Sequence, residues 1–238
     1  GSKPRLILLN KCDMADSRET VRWISYFKSK GIGAIAVDCK SGKGISGFMP
    51  AVRELLCDRI KSWEEKGMKN RTIRVMVVGI PNVGKSSFIN KVANKSRAKA
   101  EDRPGVTRGN QWYTIGNGFE LLDTPGVLWP KFDDPAVGER LAFTGAVEDQ
   151  IIDTELLAVR LLEVLKERPT EAFLTRFKLT ESDVAALPPY ELLELIGRKR
   201  GMLISGGEID TLRASNMLLD EYRGAKLGKI TLEGAPAG

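Results

Sequence analysis

The chain has 238 residues, 42% of them hydrophobic, and 37 basic against 31 acidic side chains give a net charge of +6. That length suits one α/β domain with a smaller companion, and the modest basic excess is compatible with a nucleic-acid partner. No apolar run approaches the ~20 residues of a membrane span, no signal peptide is visible, and three cysteines (Cys12, Cys39, Cys57) without metal spacing argue against a disulfide framework, so a cytoplasmic protein is expected.

Residues 5–9 (Arg-Leu-Ile-Leu-Leu) read as a strand with Asn10-Lys11-Cys12-Asp13 at its carboxyl end. Asp16 or Ser17 caps a helix over 17–30. A short strand at 34–37 is followed by Asp38-Cys39-Lys40-Ser41-Gly42. A helix over 46–64 and a linker at 65–71 lead to residues 73–78 (Ile-Arg-Val-Met-Val-Val), β-branched and apolar as a buried strand should be. Gly79-Ile80-Pro81-Asn82-Val83-Gly84-Lys85-Ser86 comes next, and a helix runs on from Ser87. A polar stretch at 97–110 contains Arg103-Pro104-Gly105-Val106-Thr107. Residues 119–122 form another strand, which delivers Asp123-Thr124-Pro125-Gly126. Beyond about residue 140 the strand signals fade. Helical periodicity covers 151–167, which ends at Arg168-Pro169, then 190–199 after Pro188-Pro189, then 208–222. The apolar run at 230–232 is ambiguous. The expected fold is an α/β domain over 1–142 followed by a small all-α domain over 143–238.

Strand, Gly-x-x-x-x-Gly-Lys-Ser loop and helix together are the context of a phosphate-binding loop. Its glycines let backbone N–H groups converge on an anion, and the helix N-terminus adds favourable partial charge. Lys85 is expected to reach the β- and γ-phosphates, and the hydroxyl of Ser86 to ligate Mg²⁺. Val83, Gly84 and Ser87 complete the expected cradle. Asp123, at a strand end, is expected to hold Mg²⁺ through a water, and the N–H of Gly126 to sense the γ-phosphate. Thr107 would close over the metal. Standing alone, Asp-x-x-Gly is a common turn and a loop threonine is usually nothing; both readings lean on their neighbours.

Asp13 offers two carboxylate acceptors matching the N1–H and N2–H₂ donors of guanine, whereas adenine would leave it unpaired, at a cost of about 1–3 kcal/mol. Lys11 can lay its stem along the base, beside Cys12, and Asn10 is expected to tie this loop to the phosphate loop. In the second loop Cys39, after Asp38, is the expected N–H donor to guanine O6, and Lys40 covers the base. Helix capping explains Asp16 and Ser17 but not Asn-Lys-x-Asp at a strand end.

In ordinary GTPases the phosphate loop precedes the base-reading loop; here Asn10–Asp13 precedes Gly79–Ser86. These motifs in this order, with Pro104-Gly105-Val106-Thr107, Asp123-Thr124-Pro125-Gly126-Val127-Leu128-Trp129-Pro130, Thr144-Gly145-Ala146 and Arg198-Lys199-Arg200-Gly201, resemble the circularly permuted GTPases of ribosome assembly. The resemblance runs through nearly the whole chain. It implies a P-loop NTPase G domain with permuted motif order that binds GTP and GDP. It also implies GTP hydrolysis coupled to maturation of the 50S subunit, with rRNA and ribosomal proteins as partners. Family members usually carry a further segment ahead of the base reader, with a strand expected between those ending at Leu9 and Val78.

Where many GTPases place a glutamine to orient the attacking water, this chain has Val127 then Leu128, and it has no histidine to act as base. Slow intrinsic turnover, raised by the ribosomal particle, is therefore expected. Asn82 stands where some related GTPases bind K⁺; the alternative is a structural loop bond. Basic residues cluster over 91–108 (Lys91, Lys95, Arg97, Lys99, Arg103, Arg108), at Arg198-Lys199-Arg200, and at Arg223, Lys226 and Lys229, and are either rRNA contacts or solvated surface. Two other functions stay open: a nucleotide-gated RNA-binding module with negligible turnover, and a permuted GTPase acting on another RNA such as tRNA. A monomer is expected.

Overall fold

The computed structural model describes residues 3–68, 71–95, 111–116, 118–127, 134–147 and 153–236. Thr107, the basic residues from Arg97 to Arg108, Leu128 and Trp129 lie outside them. The chain divides into two compact units, residues 1–12, 17–129 and 234–238 forming one and residues 13–16 and 130–233 the other.

The first unit is α/β. In chain order it contains β1 (Leu6–Leu9), α1 (Ser17–Ser29), β2 (Gly33–Ala36), a 3₁₀ turn (Ile45–Gly47), α2 (Phe48–Leu55), α3 (Cys57–Glu65), β3 (Ile73–Val77), α4 (Lys85–Lys95), β4 (Gln111–Thr114) and β5 (Phe119–Asp123). β1 and β2 pair in parallel, from Leu6 opposite Gly33 to Leu9 opposite Ala36. β3 and β5 pair in parallel, from Ile73 opposite Phe119 to Val77 opposite Asp123, and β4 adds to β5 antiparallel. Among the described residues these are two separate sheets, β1–β2 and β3–β5–β4. All four parallel strands end in a motif-bearing loop, which is where open α/β sheets place their ligands.

Phe88, Ile89, Val92 and Ala93 on α4 share a core with Ile73, Phe119 and Leu121 of the sheet and with Phe48 and Val52 of α2. Phe48 and Phe88 meet edge to face at 4.9 Å. The opposite sheet face is open: Met76 is 53% and Trp112 51% exposed, with the guanidinium of Arg74 over the Trp112 ring and bonded to Glu120. The run 73–78 is therefore buried on one side only, unlike the fully buried strand its apolar residues suggest. The single helix expected over 46–64 is interrupted at Leu56 (φ −106°, ψ 9°). The break keeps Val52, and then Ile60 and Trp63, against one core. Gly44 (φ 76°) closes the turn before α2; a Cβ there would overlap the carbonyl oxygen of Ala36.

The second unit is helical: α5 (Pro135–Phe143), α6 (Thr154–Glu167), α7 (Glu171–Phe177), α8 (Glu181–Ala186), α9 (Pro189–Lys199) and α10 (Thr211–Arg223). Each of α5, α6, α7, α8 and α10 starts on an Asp or Thr whose side chain accepts a first-turn N–H. Thr180 and Asp183 complete a reciprocal capping box. Leu161, Leu162, Leu165, Phe173, Phe177, Leu192 and Leu193 are fully buried in its core. The run 230–232 forms no regular element; Ile230 N–H instead donates to the carbonyl of Met14 at 2.7 Å.

Two of the basic residues near the end of α9 serve this unit's own structure. Lys199 Nζ donates to the Lys178 carbonyl at 2.6 Å and pairs with Asp183, and Arg200 donates to the Arg176 carbonyl at 3.1 Å while lying over the Phe177 ring. Arg176 and Lys226 both pair with Glu221, which is 7% exposed. Among the described residues no helix is long and apolar enough to cross a membrane.

Candidate nucleotide-binding site

β3 feeds the phosphate loop and α4 leaves it, the helix beginning at Lys85 itself. The loop turns on two left-handed residues, Asn82 (φ 55°) and Gly84 (φ 99°). At Gly84 a Cβ would overlap Asn10 Nδ2. Asn82 and Ser87 are exposed, while Val83, Gly84, Lys85 and Ser86 are half-buried. Lys85 Nζ donates to the Ile80 carbonyl at 2.8 Å. Burial pushes the Lys85 ammonium pKa down, and the charge of Asp123 opposes that shift.

β5 brings Asp123 alongside this loop. Its carboxylate is buried, at 1% exposure, and Oδ2 accepts from Ser86 Oγ at 3.0 Å. Thr124 Oγ1 donates to the Val77 carbonyl at 2.8 Å, holding the exit of β5 against β3. The chain then passes the phosphate loop so closely that a Cβ on Gly126 would stand 2.6 Å from Pro81 N and 2.8 Å from Lys85 Nζ. A hydroxyl and a carboxylate side by side are hard oxygen donors, the set that suits Mg²⁺.

Asn10 joins three loops. Its Nδ2 donates to the Val83 carbonyl at 2.7 Å, and its Oδ1 accepts from Cys39 N–H at 3.1 Å. The Cys39 N–H, expected to face guanine O6, instead donates to Asn10, so the Asn10 side chain joins the loop after β2 as well as the phosphate loop, the latter as expected. Burial, then the nearby Asp38 and Cys12, push the Cys39 thiol up to about 11. Lys11 takes a left-handed backbone (φ 57°) and Cys12 N–H donates to the Val37 carbonyl at 3.2 Å. Asp13 follows in the turn, half-buried, in the stretch 13–16 that belongs to the second unit.

Asp38 organises its own loop. Its carboxylate accepts from Lys40 N–H at 2.8 Å and Ser41 N–H at 3.2 Å. Burial pushes its pKa up, but these bonds and one from the Ser41 hydroxyl outweigh it and hold the carboxyl below its ordinary value. Lys40 is exposed. Sequence reasoning missed two contributors: Thr124, hidden inside a motif read for its Asp and Gly, and Lys91, read as one of a basic cluster. Lys91 Nζ donates to the Lys40 carbonyl at 3.0 Å; nothing local in the sequence signals a contact across 51 positions.

A phosphate loop between a parallel strand and a helix, an acidic residue from the neighbouring strand against its serine, and Asn-Lys-x-Asp ahead of both define a P-loop GTPase with permuted motif order. A family model described as "50S ribosome-binding GTPase" matches residues 74–180, a stretch that excludes Asn10–Asp13. Ribosome biogenesis GTPase A of Bacillus cereus is 47% identical over 97% of this chain and 77% of its own length. Two solved structures of YlqF are similar throughout. The GDP-bound form has a TM-score of 0.65 at 26% identity over 96% of this chain and 82% of that one. The GNP-bound form from T. maritima has a TM-score of 0.64 at 26% identity over 97% and 81%. The chain belongs to the ribosome biogenesis GTPase A family, binds guanine nucleotide and is a GTPase.

Proposed function

We propose that this protein hydrolyses GTP during assembly of the large (50S) ribosomal subunit, binding rRNA and ribosomal proteins of the precursor in a nucleotide-dependent way in the cytoplasm. The names of its relatives and the description of the matching family model support the ribosomal assignment. The observation that carries the nucleotide assignment is the pair of hydrogen bonds at Asn10, donated to the Val83 carbonyl and accepted from Cys39 N–H, which brings base reader and phosphate loop together despite their inverted order.

In this reading Lys85 grips the β- and γ-phosphates, and the N–H groups of Val83, Gly84, Ser86 and Ser87 cradle them. Ser86, and Asp123 through a water, would hold Mg²⁺, with Thr107 as a third oxygen, and the bound ion would supply positive charge to offset the charge developing on the phosphate oxygens. Gly126 N–H senses the γ-phosphate. Asp13 accepts from the guanine edge, an assignment that rests on its place in the motif, while Lys11 and Lys40 flank the ring.

Val127, 76% exposed, cannot hydrogen-bond a water, so the intrinsic rate is low and the ribosomal particle completes the site. Such completion is worth about 10³–10⁵ in rate when an arginine finger supplies it. A K⁺ held at Asn82 would supply the charge differently; equal phosphate-release rates in KCl and NaCl, with the particle present, would remove that idea.

The test compares GTP and ATP affinity before and after Asp13→Ala, and phosphate release with and without large-subunit precursors. Loss of guanine preference in the variant and stimulation by the particle are the expected results. Tight GTP-dependent binding to the precursor without stimulated release would favour the second reading, a nucleotide-gated binding module, which Val127 also fits.

A further inference from the structure

We infer that Lys91 is a positioning residue for guanine recognition: a clamp that fixes the base-side loop from the same helix that begins at the phosphate grip. The inference rests on the nucleotide assignment above and adds a residue to it.

α4 opens with Lys85 and Ser86 and carries Lys91 six residues later, about 9 Å along the axis. One face of the helix is locked into the core by Phe88, Ile89, Val92 and Ala93. Lys91 leaves from another face and reaches the loop after β2. Its Nζ donates to the Lys40 carbonyl at 3.0 Å. Its stem crosses Gly42, with Cε 2.9 Å from where a Cβ would stand, and Gly42 has a left-handed backbone (φ 88°). Any side chain there would displace the lysine.

The loop itself is closed by short-range bonds. Asp38 caps Lys40 and Ser41, Gly42 N–H donates to the Asp38 carbonyl at 2.7 Å, and Asp38 N–H donates to the Lys43 carbonyl at 2.9 Å. These bonds give the loop a shape but not a position relative to the phosphates. Packing of Cys39, Ile45 and Phe48 in the core shared with α4 places the loop broadly, and two polar links tie it further: Asn10 Oδ1 on Cys39 N–H, and Lys91 Nζ on the Lys40 carbonyl. The second is charge-assisted, the stronger kind of bond, and comes from the element that bears Lys85. Lys91 therefore adds a polar link that refines the spacing between the phosphate grip and the loop bordering the base. The sequence left Lys91 as either an rRNA contact or solvated surface; this contact gives it a structural use.

The test uses Lys91→Met, which keeps the stem across Gly42 and removes the donor, together with Lys91→Arg and Asp13→Ala. GDP and ADP affinities and the melting temperature of the nucleotide-free protein are measured for each. Lys91→Met should weaken GDP roughly five- to tenfold, as loss of one charge-assisted bond does. ADP affinity and the melting temperature should stay unchanged, so the GDP-over-ADP preference narrows, and Lys91→Arg should restore most of it. Equal weakening of GDP and ADP, or a fall in melting temperature of matching size, would overturn the clamp in favour of plain support of the helix. Unchanged GDP affinity with reduced RNA retention would overturn it in favour of an RNA contact. If the unsubstituted protein shows no preference for GDP and Asp13→Ala changes nothing, the guanine assignment itself fails and the clamp falls with it.

Discussion

Asn10 Nδ2 donates to the Val83 carbonyl at 2.7 Å, joining positions 73 residues apart. The same amide accepts from Cys39 N–H through its oxygen. Asn10→Asp keeps the acceptor but sets an oxygen against the Val83 carbonyl. Asn10→Ala removes both bonds. Each should weaken GDP binding by about tenfold or more, given about 1–3 kcal/mol for a lost partly buried bond, with Asp the worse of the two. Titration with a fluorescent GDP analogue reads this directly; equal affinities for all three proteins would refute the bridging role.

Gly126 leaves no room for a side chain. Gly126→Ala would drive its Cβ into Pro81 and Lys85 Nζ, so either the loop after β5 or the phosphate loop must shift. A displacement near 1 Å in a reacting site costs about 10²-fold in rate. GTP turnover should fall by roughly that factor while GDP binding falls much less. Phosphate-release kinetics at saturating GTP separate the two effects.

Lys85 is a cation held partly out of water, and burial depresses its pKa. A base whose folded pKa is depressed by burial costs the fold stability while it is charged, and that cost is relieved as pH rises through the folded pKa. Lys85→Met should therefore abolish nucleotide binding without lowering the melting temperature of the nucleotide-free protein. Thermal melts with and without GDP provide the check, and a marked loss of apo stability would contradict it.

The Arg176 guanidinium beside Glu221, opposed by burial and helped by Lys226, holds the Glu221 carboxyl below its ordinary 4.5. A depressed acid contributes stability that is present above its unfolded pKa and lost as pH falls through the folded one. The helical unit should accordingly weaken below about pH 4.5, and Glu221→Gln should flatten that dependence. Helix content against urea, followed by circular dichroism from pH 3 to pH 7, should show the two proteins converging at the acid end.

Much of this was legible in the residues, where local chemistry decides. The strand–loop–helix around Gly79–Ser86 and the strand ending at Asp123 follow from apolar runs broken by glycines. α1, α9 and α10 follow from periodicity and lie within a few residues of their expected bounds. The short helices α7 and α8 were not anticipated because neither is long enough to show a period. The residues Thr170 and Thr180-x-x-Asp183 carried their cap signals all the same. β4 was missed because Gln111 to Thr114 lacks an apolar run and gains its pairing only from β5. Asn10 was placed between loops from its motif, but the hold of Asn10 on Cys39 and of Lys91 on Lys40 are tertiary contacts with no local mark. The basic triplet at 198–200 read as either an rRNA contact or solvated surface; two of its members cap their own unit's carbonyls, which charge counting cannot reveal.

The parallel ladder from Ile73 opposite Phe119 to Val77 opposite Asp123 also has a temporal side. Closing so large a loop is slow, because entropy is lost before any contact repays it. In chain order β1 precedes β3, and β5, the partner strand of the phosphate loop's β3, follows both. The site as described cannot be complete until Asp123 has paired beside the phosphate loop. GDP supplied during refolding should then leave early collapse untouched and act only on the finished state, by mass action, so that nucleotide occupancy reports completed synthesis of the domain.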